Sequence, residues 1–339
     1  MRRIRKDQGL AITRANVKSL LSAAALSVAT MLGMSTPSFA EDDLRIIYVT
    51  PLSPGNAFAV PLVNGFETAG AQLDVDVTFR GNQDPNLWAA ADAVKRMIEN
   101  AVATEPDGLV ISNNYPEALN ESIQAAVDAG IPVVLSNAGL GEAENVGAMA
   151  YVGVEEYQLG EIGGQRLREL GAKNTLVVTV PPGIPLVDQR IDGFKAGMAP
   201  ETATYVEVPV EALSDSTRLV NVMLAEIEKD LSIDSIFSIG SCCGPAMVAA
   251  RNKIGDRADD MHFGTIDLGA PVLDALAAGE IDFAIDQQQF LQGYLPVVLL
   301  ANYIRYGIEP ADGIYRSGPA LVTPENAEQV RQATERGQR

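Results

Sequence analysis

The side chains that could recognise a small molecule recur at one kind of place in this chain, just after a short apolar run. Asn56 and Phe58 follow the first such run; Asn113 and Asn114, and then Ser136-Asn137, follow later ones. Further on come Asp188, Gln189 and Arg190, then Ser241-Cys242-Cys243, then Asp267, and finally the polar turn Asp286-Gln287-Gln288-Gln289. If the apolar runs are strands, these residues lie at carboxyl ends, where open α/β sheets bind ligands. Neutral amides, one or two carboxylates, one guanidinium and a few aromatics suit a neutral polyhydroxylated ligand. Each hydroxyl donates one hydrogen bond and accepts others, so the site must offer both kinds of partner. Any one of these residues could equally be a turn or helix cap, the usual places for Asn and Asp. Their recurrence is what points to a site.

Catalysis is poorly supplied by comparison. The single histidine, His262, sits in a strand pattern and reads as a core or edge residue. No G-x-S-x-G elbow, Walker A loop or H-E-x-x-H is present. Two adjacent cysteines with no histidine nearby cannot complete a tetrahedral metal site, so neither a metal nor a cofactor is expected. Gly163-Gly164 falls inside a helical pattern, which implies close packing and not a phosphate cradle. The catalytic alternative is a secreted sugar-acting enzyme with Asp188 and Asp267 as acid and base. Nothing in the sequence sets those two together.

At 339 residues and 47% hydrophobic, the chain can bury a sizeable core and is long enough for about two domains. Its first forty residues stand apart. Arg2, Arg3, Arg5, Lys6, Arg14 and Lys18 precede the mostly apolar run Leu20 to Met34, and Pro37-Ser38-Phe39-Ala40 places small residues where a signal peptidase cuts. Residues 1–40 are therefore expected to be a secretory signal, too short in its apolar part to anchor in a membrane. Without it the net charge moves from −19 to −24. Such a field repels nucleic acid and anionic membrane surfaces. No later stretch is long and apolar enough to insert in a bilayer.

From Leu44 the chain alternates strand and helix with Gly and Pro at the seams. Strands are predicted near Leu44–Thr50, Val75–Phe79, Asp107–Ser112, Pro132–Ser136, Thr175–Val180, Tyr205–Val210, Ser235–Ile239, His262–Ile266 and Asp282–Ile285. The helices between them include one predicted to open at Trp88. This rhythm means right-handed βαβ units on parallel sheets, and too many strands for one sheet. The expected fold is α/β, with two doubly wound parallel-sheet lobes. In the last predicted helix Pro296 interrupts an otherwise regular pattern and should kink it or delay its start.

The chain resembles the type I periplasmic sugar-binding proteins of ABC transporters, the ribose-binding group that shares its fold with LacI-like effector domains. The resemblance rests on several short stretches in order: Asn56-Ala57-Phe58 with Gly65-Phe66-Glu67; Pro106 to Ile111; Gly130 to Val134; Val152-Gly153-Val154 leading to Gly160; Arg190 to Phe194; and Ala284 to Gln288. It implies an N-terminal lobe of residues 41–150 plus 288–317 and a C-terminal lobe of residues 151–287 plus 318–339. It also implies a three-segment hinge near Tyr151, Gln287 and Ser317, and a periplasmic location. Arg190, Asp267 and Gln287 should then bond a sugar or polyol, with Asn56, Phe58, Asn114 and Asn137 facing them from the first lobe. A membrane permease, and in some members a chemoreceptor, would be partners of a monomeric carrier. Two departures from the ribose group bear on ligand identity: Ser136-Asn137 replaces an Asp-Arg pair, and Ser241-Cys242-Cys243 replaces an Asn-Asp. A furanose-like signalling molecule is thus an alternative ligand.

Cys242 and Cys243 are counted with the ligand-binding residues because they follow a strand's carboxyl end. Two forms stay open for them. They are either free thiols or a disulfide between neighbours, which is strained because Cα atoms across a trans peptide are ~3.8 Å apart, below the usual ~4.4–6.8 Å.

Overall fold

The computed structural model describes residues 44–83, 86, 90–209, 212, 213 and 215–339. The expected signal segment and Trp88 lie outside the described residues. The run Leu44–Thr50 forms β1, and its side chains go alternately to both faces: Ile46 and Tyr48 into one apolar cluster, Ile47 and Val49 into another. A strand buried on both faces needs helices on both sides, and the chain supplies them.

In the first lobe β1 is followed by α1 (Ala59–Leu73), β2 (Val75–Gly81), α2 (Ala91–Val102), β3 (Gly108–Ile111), α3 (Pro116–Asp128), β4 (Val133–Ser136) and β5 (Ala150–Gly153). The second lobe follows with α4 (Glu156–Leu170), β6 (Asn174–Thr179), α5 (Pro185–Met198), β7 (Thr202–Glu207), α6 (Ser216–Lys229), β8 (Ser235–Ser238), α7 (Gly244–Ile254), β9 (His262–Ile266), α8 (Ala270–Ala277) and β10 (Phe283–Asp286). Then α9 (Gln289–Tyr306) and β11 (Ile314–Arg316) return to the first sheet's side, and β12 (Ala320–Val322) and α10 (Ala327–Glu335) complete the second. The sheets run β11-β5-β4-β3-β1-β2 and β12-β10-β9-β8-β6-β7. All pairings are parallel except β12 against β10. The chain therefore passes between sheets after β5, after β10 and after β11.

Two details differ from expectation. The strand predicted near Tyr205–Val210 is β7, and it begins at Thr202. It is a sheet edge paired only with β6, half exposed along its length, so no continuous apolar run marks its start. Pro296 does not delay α9, which begins at Gln289 and carries the proline inside.

Glycine sets how closely paired helices approach. On α4, a Cβ placed on Gly160 would lie 1.9 Å from the Arg190 carbonyl oxygen, and one on Gly193 of α5 would lie 1.9 Å from that of Tyr157. The expected packing role of Gly163-Gly164 is met on the same helix: Gly163 abuts the Phe237 ring and Gly164 the Phe194 carbonyl. The first lobe repeats the device between α1 and α9, where Gly65 faces Phe290 and Gly293 faces Leu62.

Candidate functional site

The close approach of α4 and α5 positions the most buried charge cluster in the described structure. Glu156 opens α4 just after the first crossing, and Arg190 lies on α5. The Arg190 Nε donates to Glu156 Oε2 at 2.5 Å, with both side chains under a tenth exposed. Its Nη1 donates to the Ile239 carbonyl at 3.0 Å and its Nη2 to Gln287 Oε1 at 3.5 Å. Arg190 is thus held at its root while its far side meets the second crossing.

Asp267 completes the cluster from the end of β9. Its Oδ1 accepts from Gln287 Nε2 at 2.8 Å and from Gln289 Nε2 at 3.1 Å, and its Oδ2 accepts from the Ser241 amide at 2.9 Å. Its backbone is in the left-handed region at φ 73°, which Asp tolerates better than most residues and which aims the carboxylate inward. Burial pushes the Asp267 carboxyl above its ordinary pKa, while the Arg190 charge and the Gln287 amide pull it back. Glu156 is raised for the same first reason, again opposed by Arg190. One guanidinium thus pairs directly with Glu156 and offsets the charge of Asp267 without a direct bond to it.

A cavity of about 560 Å³ opens onto this cluster from between the two sheets. Arg190, Asp267, Gln287 and Cys242 line it from the second lobe and the crossing; Asn56, Phe58, Asn114 and Asn137 line it from the first. Asn56 Oδ1 accepts from the Phe58 amide at 2.9 Å, an Asx-type turn that fixes the pair ahead of α1. Asn137 Nδ2 donates to Gln292 Oε1 at 3.3 Å, and its Oδ1 accepts from the Ser112 hydroxyl at 3.1 Å. Asn114 keeps its buried Oδ1 without a protein donor, an acceptor available to a ligand. Eight of the nine expected site residues therefore line one cavity.

Cys243, expected at the site, does not reach the cavity. It lies fully buried in the second lobe's core beside Ala246 and Met247, and only Cys242 reaches the cavity. Neighbouring residues at a helix start leave in different directions, so one cannot follow the other into the cleft. The two sulfurs lie 2.9 Å apart, in hydrogen-bond contact with no covalent bond between them. Asp188, the nominated acid–base partner of Asp267, is not among the residues lining the cavity. His262 bonds Asp282 at 3.3 Å at the start of β9, away from the cavity lining. Among the described residues no cluster of His, Cys, Asp or Glu could hold a metal ion, and no helix is long and apolar enough to cross a membrane.

Sequence reasoning missed Glu156, Tyr115 and the residues of the β6–α5 loop. Gln289 stood out as the end of a polar turn, though not as a residue that braces Asp267, and Gln292, which bonds Asn137, was missed.

Two doubly wound lobes, three crossings and a cavity between the lobes with a polar cluster on its wall define a two-lobed binding protein. The sequence profile of the periplasmic binding protein domain matches residues 47–308, and the chain belongs to that family. It is 24% identical over 274 residues to the xylose/arabinose-binding protein of Sulfolobus acidocaldarius, a match spanning 77% of this chain and 66% of that protein, just under two thirds of its length. Among solved structures it resembles a carbohydrate transporter from Acidothermus cellulolyticus 11B in complex with myo-inositol, at 29% identity and TM-score 0.76, covering 88% of this chain and all of that one. A sugar-binding protein of a sugar ABC transporter from Bacillus halodurans superposes with TM-score 0.71 at 25% identity, covering 85% of this chain and 99% of that one.

Proposed function

We propose that this protein is the periplasmic solute-binding component of an ABC importer, capturing a small neutral sugar or polyol between its lobes and delivering it to a membrane permease. One observation carries the reading: Arg190, Asp267 and Gln287 form a braced polar cluster facing Asn56, Asn114 and Asn137 across one cavity. Those groups supply donors, acceptors and one compensated charge, as a ligand rich in hydroxyls requires. The three crossings supply hinge segments about which the lobes close, because only the closed state gains contacts to the ligand from both sides. The likeness to a myo-inositol complex and to a pentose-binding relative makes cyclitols and pentoses the first ligands to try. Presentation to a chemoreceptor would use the same capture step.

The test is thermal unfolding of the chain from Glu41 onward with pentoses, hexoses, inositols, linear polyols and furanose signals. A true ligand at about a hundred times its Kd stabilises by about 2.7 kcal/mol and raises Tm in a concentration-dependent way. A flat response to the whole panel, repeated by calorimetry, would overturn the reading.

A further inference from the structure

The second lobe's wall of the cavity is divided along its sheet. Polar side chains come from the β8, β9 and β10 side of the order β10-β9-β8-β6-β7: Ser241, Asp267 and Gln287, with Arg190 bonded to Gln287. From the β6 and β7 side, Arg190 at the second turn of α5 is the one polar side chain among the described residues that line the cavity. The loop joining β6 to α5 and the first turn of that helix read Val180-Pro181-Pro182-Gly183-Ile184-Pro185-Leu186-Val187, eight residues without a polar side chain, and Val180, Ile184, Leu186 and Val187 line the cavity. Leu213, which follows β7, extends the same face. Pro181 and Pro182 stiffen the loop and Pro185 opens the helix, which limits the freedom of this stretch to move. Leu186 and Leu213 are half-buried, so their apolar surface is still open to be covered.

A ring hydroxylated at every carbon fits such a wall badly. Any hydroxyl turned toward Leu186 would lose water and meet only apolar side chains among the described residues of this stretch, a loss worth roughly tenfold in affinity. A methyl group in the same place would gain about fourfold by burial. We propose that the ligand is amphipathic: a sugar or cyclitol bearing a methyl-sized or larger apolar substituent, as a deoxy-methyl or O-alkyl group, seated over β6 and β7. This rests on the sugar or polyol reading above and narrows it to a chemical class. Leu186 and Leu213 are then specificity residues, while the Arg190–Asp267–Gln287 cluster bonds the hydroxylated end.

Calorimetric titration with matched pairs tests it: D-fucose against D-galactose, L-rhamnose against L-mannose, and D-pinitol against D-chiro-inositol. In at least one pair the methyl-bearing member should bind fivefold or more tighter, and Leu186→Asn or Leu213→Asn should narrow that ratio. Using both variants guards against one failing to fold. Parents binding as tightly as their methyl-bearing partners in every pair would overturn the inference and leave the polyol reading standing. A preference that survives both substitutions would overturn the assignment to this wall. Absence of binding by all six compounds would sink the inference, and the thermal panel would show whether the polyol reading falls with it.

Discussion

Ser136 donates its hydroxyl to the backbone carbonyl of Gln292 at 2.7 Å, the oxygen that Pro296 has no amide to reach. A proline inside a helix leaves the carbonyl four residues earlier without its usual donor. Here the end of β4 supplies one, and the helix runs through. The Gln292 side chain extends the joint: its Nε2 donates to the Gln287 carbonyl and to the Ser317 hydroxyl, both at 3.1 Å, and its Oε1 accepts from Asn137. One fully buried glutamine thus ties two crossings to a residue of the cavity wall.

Replacing Ser136 with Ala should therefore strand a buried carbonyl and cost about 1–3 kcal/mol of stability. Pro296→Ala in the same chain restores an amide donor within the helix and should recover much of the loss. A double-mutant cycle read by thermal unfolding decides it; purely additive effects would mean the bond does not compensate the proline.

The buried Glu156–Arg190 pair makes a pH prediction. Burial raises the Glu156 pKa in the folded protein above its ordinary value of 4.5, with Arg190 opposing. A carboxyl raised on folding contributes stability that is full below its unfolded pKa and is lost as pH rises through the folded one. Wild-type Tm minus that of Glu156→Gln should thus grow in favour of wild type as pH falls from 7 toward 4.5. A difference that is flat or shrinks on acidification would contradict the burial argument. Arg190→Ala, which leaves two buried carboxyl groups without their cation, should lose about 3–5 kcal/mol of stability as well as ligand affinity.

The parts visible in the sequence share a physical cause. Runs such as residues 46–49 are apolar on every residue because both faces are buried, and Asn137, Asp267 and Gln287 stand out because polar groups interrupt such runs at their ends. Glu156 was hidden because its partner is chosen by how near α5 lies, which depends on Gly160 and Gly193 meeting carbonyls of the opposite helix. That is a tertiary relation with no local signature. The strands β11 and β12 are three residues each and partly exposed, too short to show a period. The β6–α5 loop was passed over because its lack of polar groups marks no site by itself.

Closure is open to a direct measurement. Glu155 at the first crossing pairs with Arg316 at the third, an exposed contact worth little to stability. It does couple two hinge segments. Small-angle scattering should show a smaller radius of gyration at ligand saturation, and Arg316→Ala should change the extent of that compaction more than it changes Tm. An identical profile at demonstrated saturation would mean a rigid pocket.

The last prediction separates the two cysteines. Cys242 lines the cavity, whereas Cys243 is buried in the core, and its hydrogen bond to Cys242 together with burial pushes its thiol pKa well up. The thiolate is the reactive form, so a protonated, enclosed thiol is inert. Alkylation of the native protein should therefore label Cys242 and spare Cys243, and a saturating ligand should slow the labelling because it covers the same wall. Intact-mass analysis with and without prior reduction checks the redox form in the same experiment. Labelling that begins only after reduction would show that the pair is bridged in the native protein. Equal labelling of both residues before reduction would place Cys243 at the surface, against the core position described here.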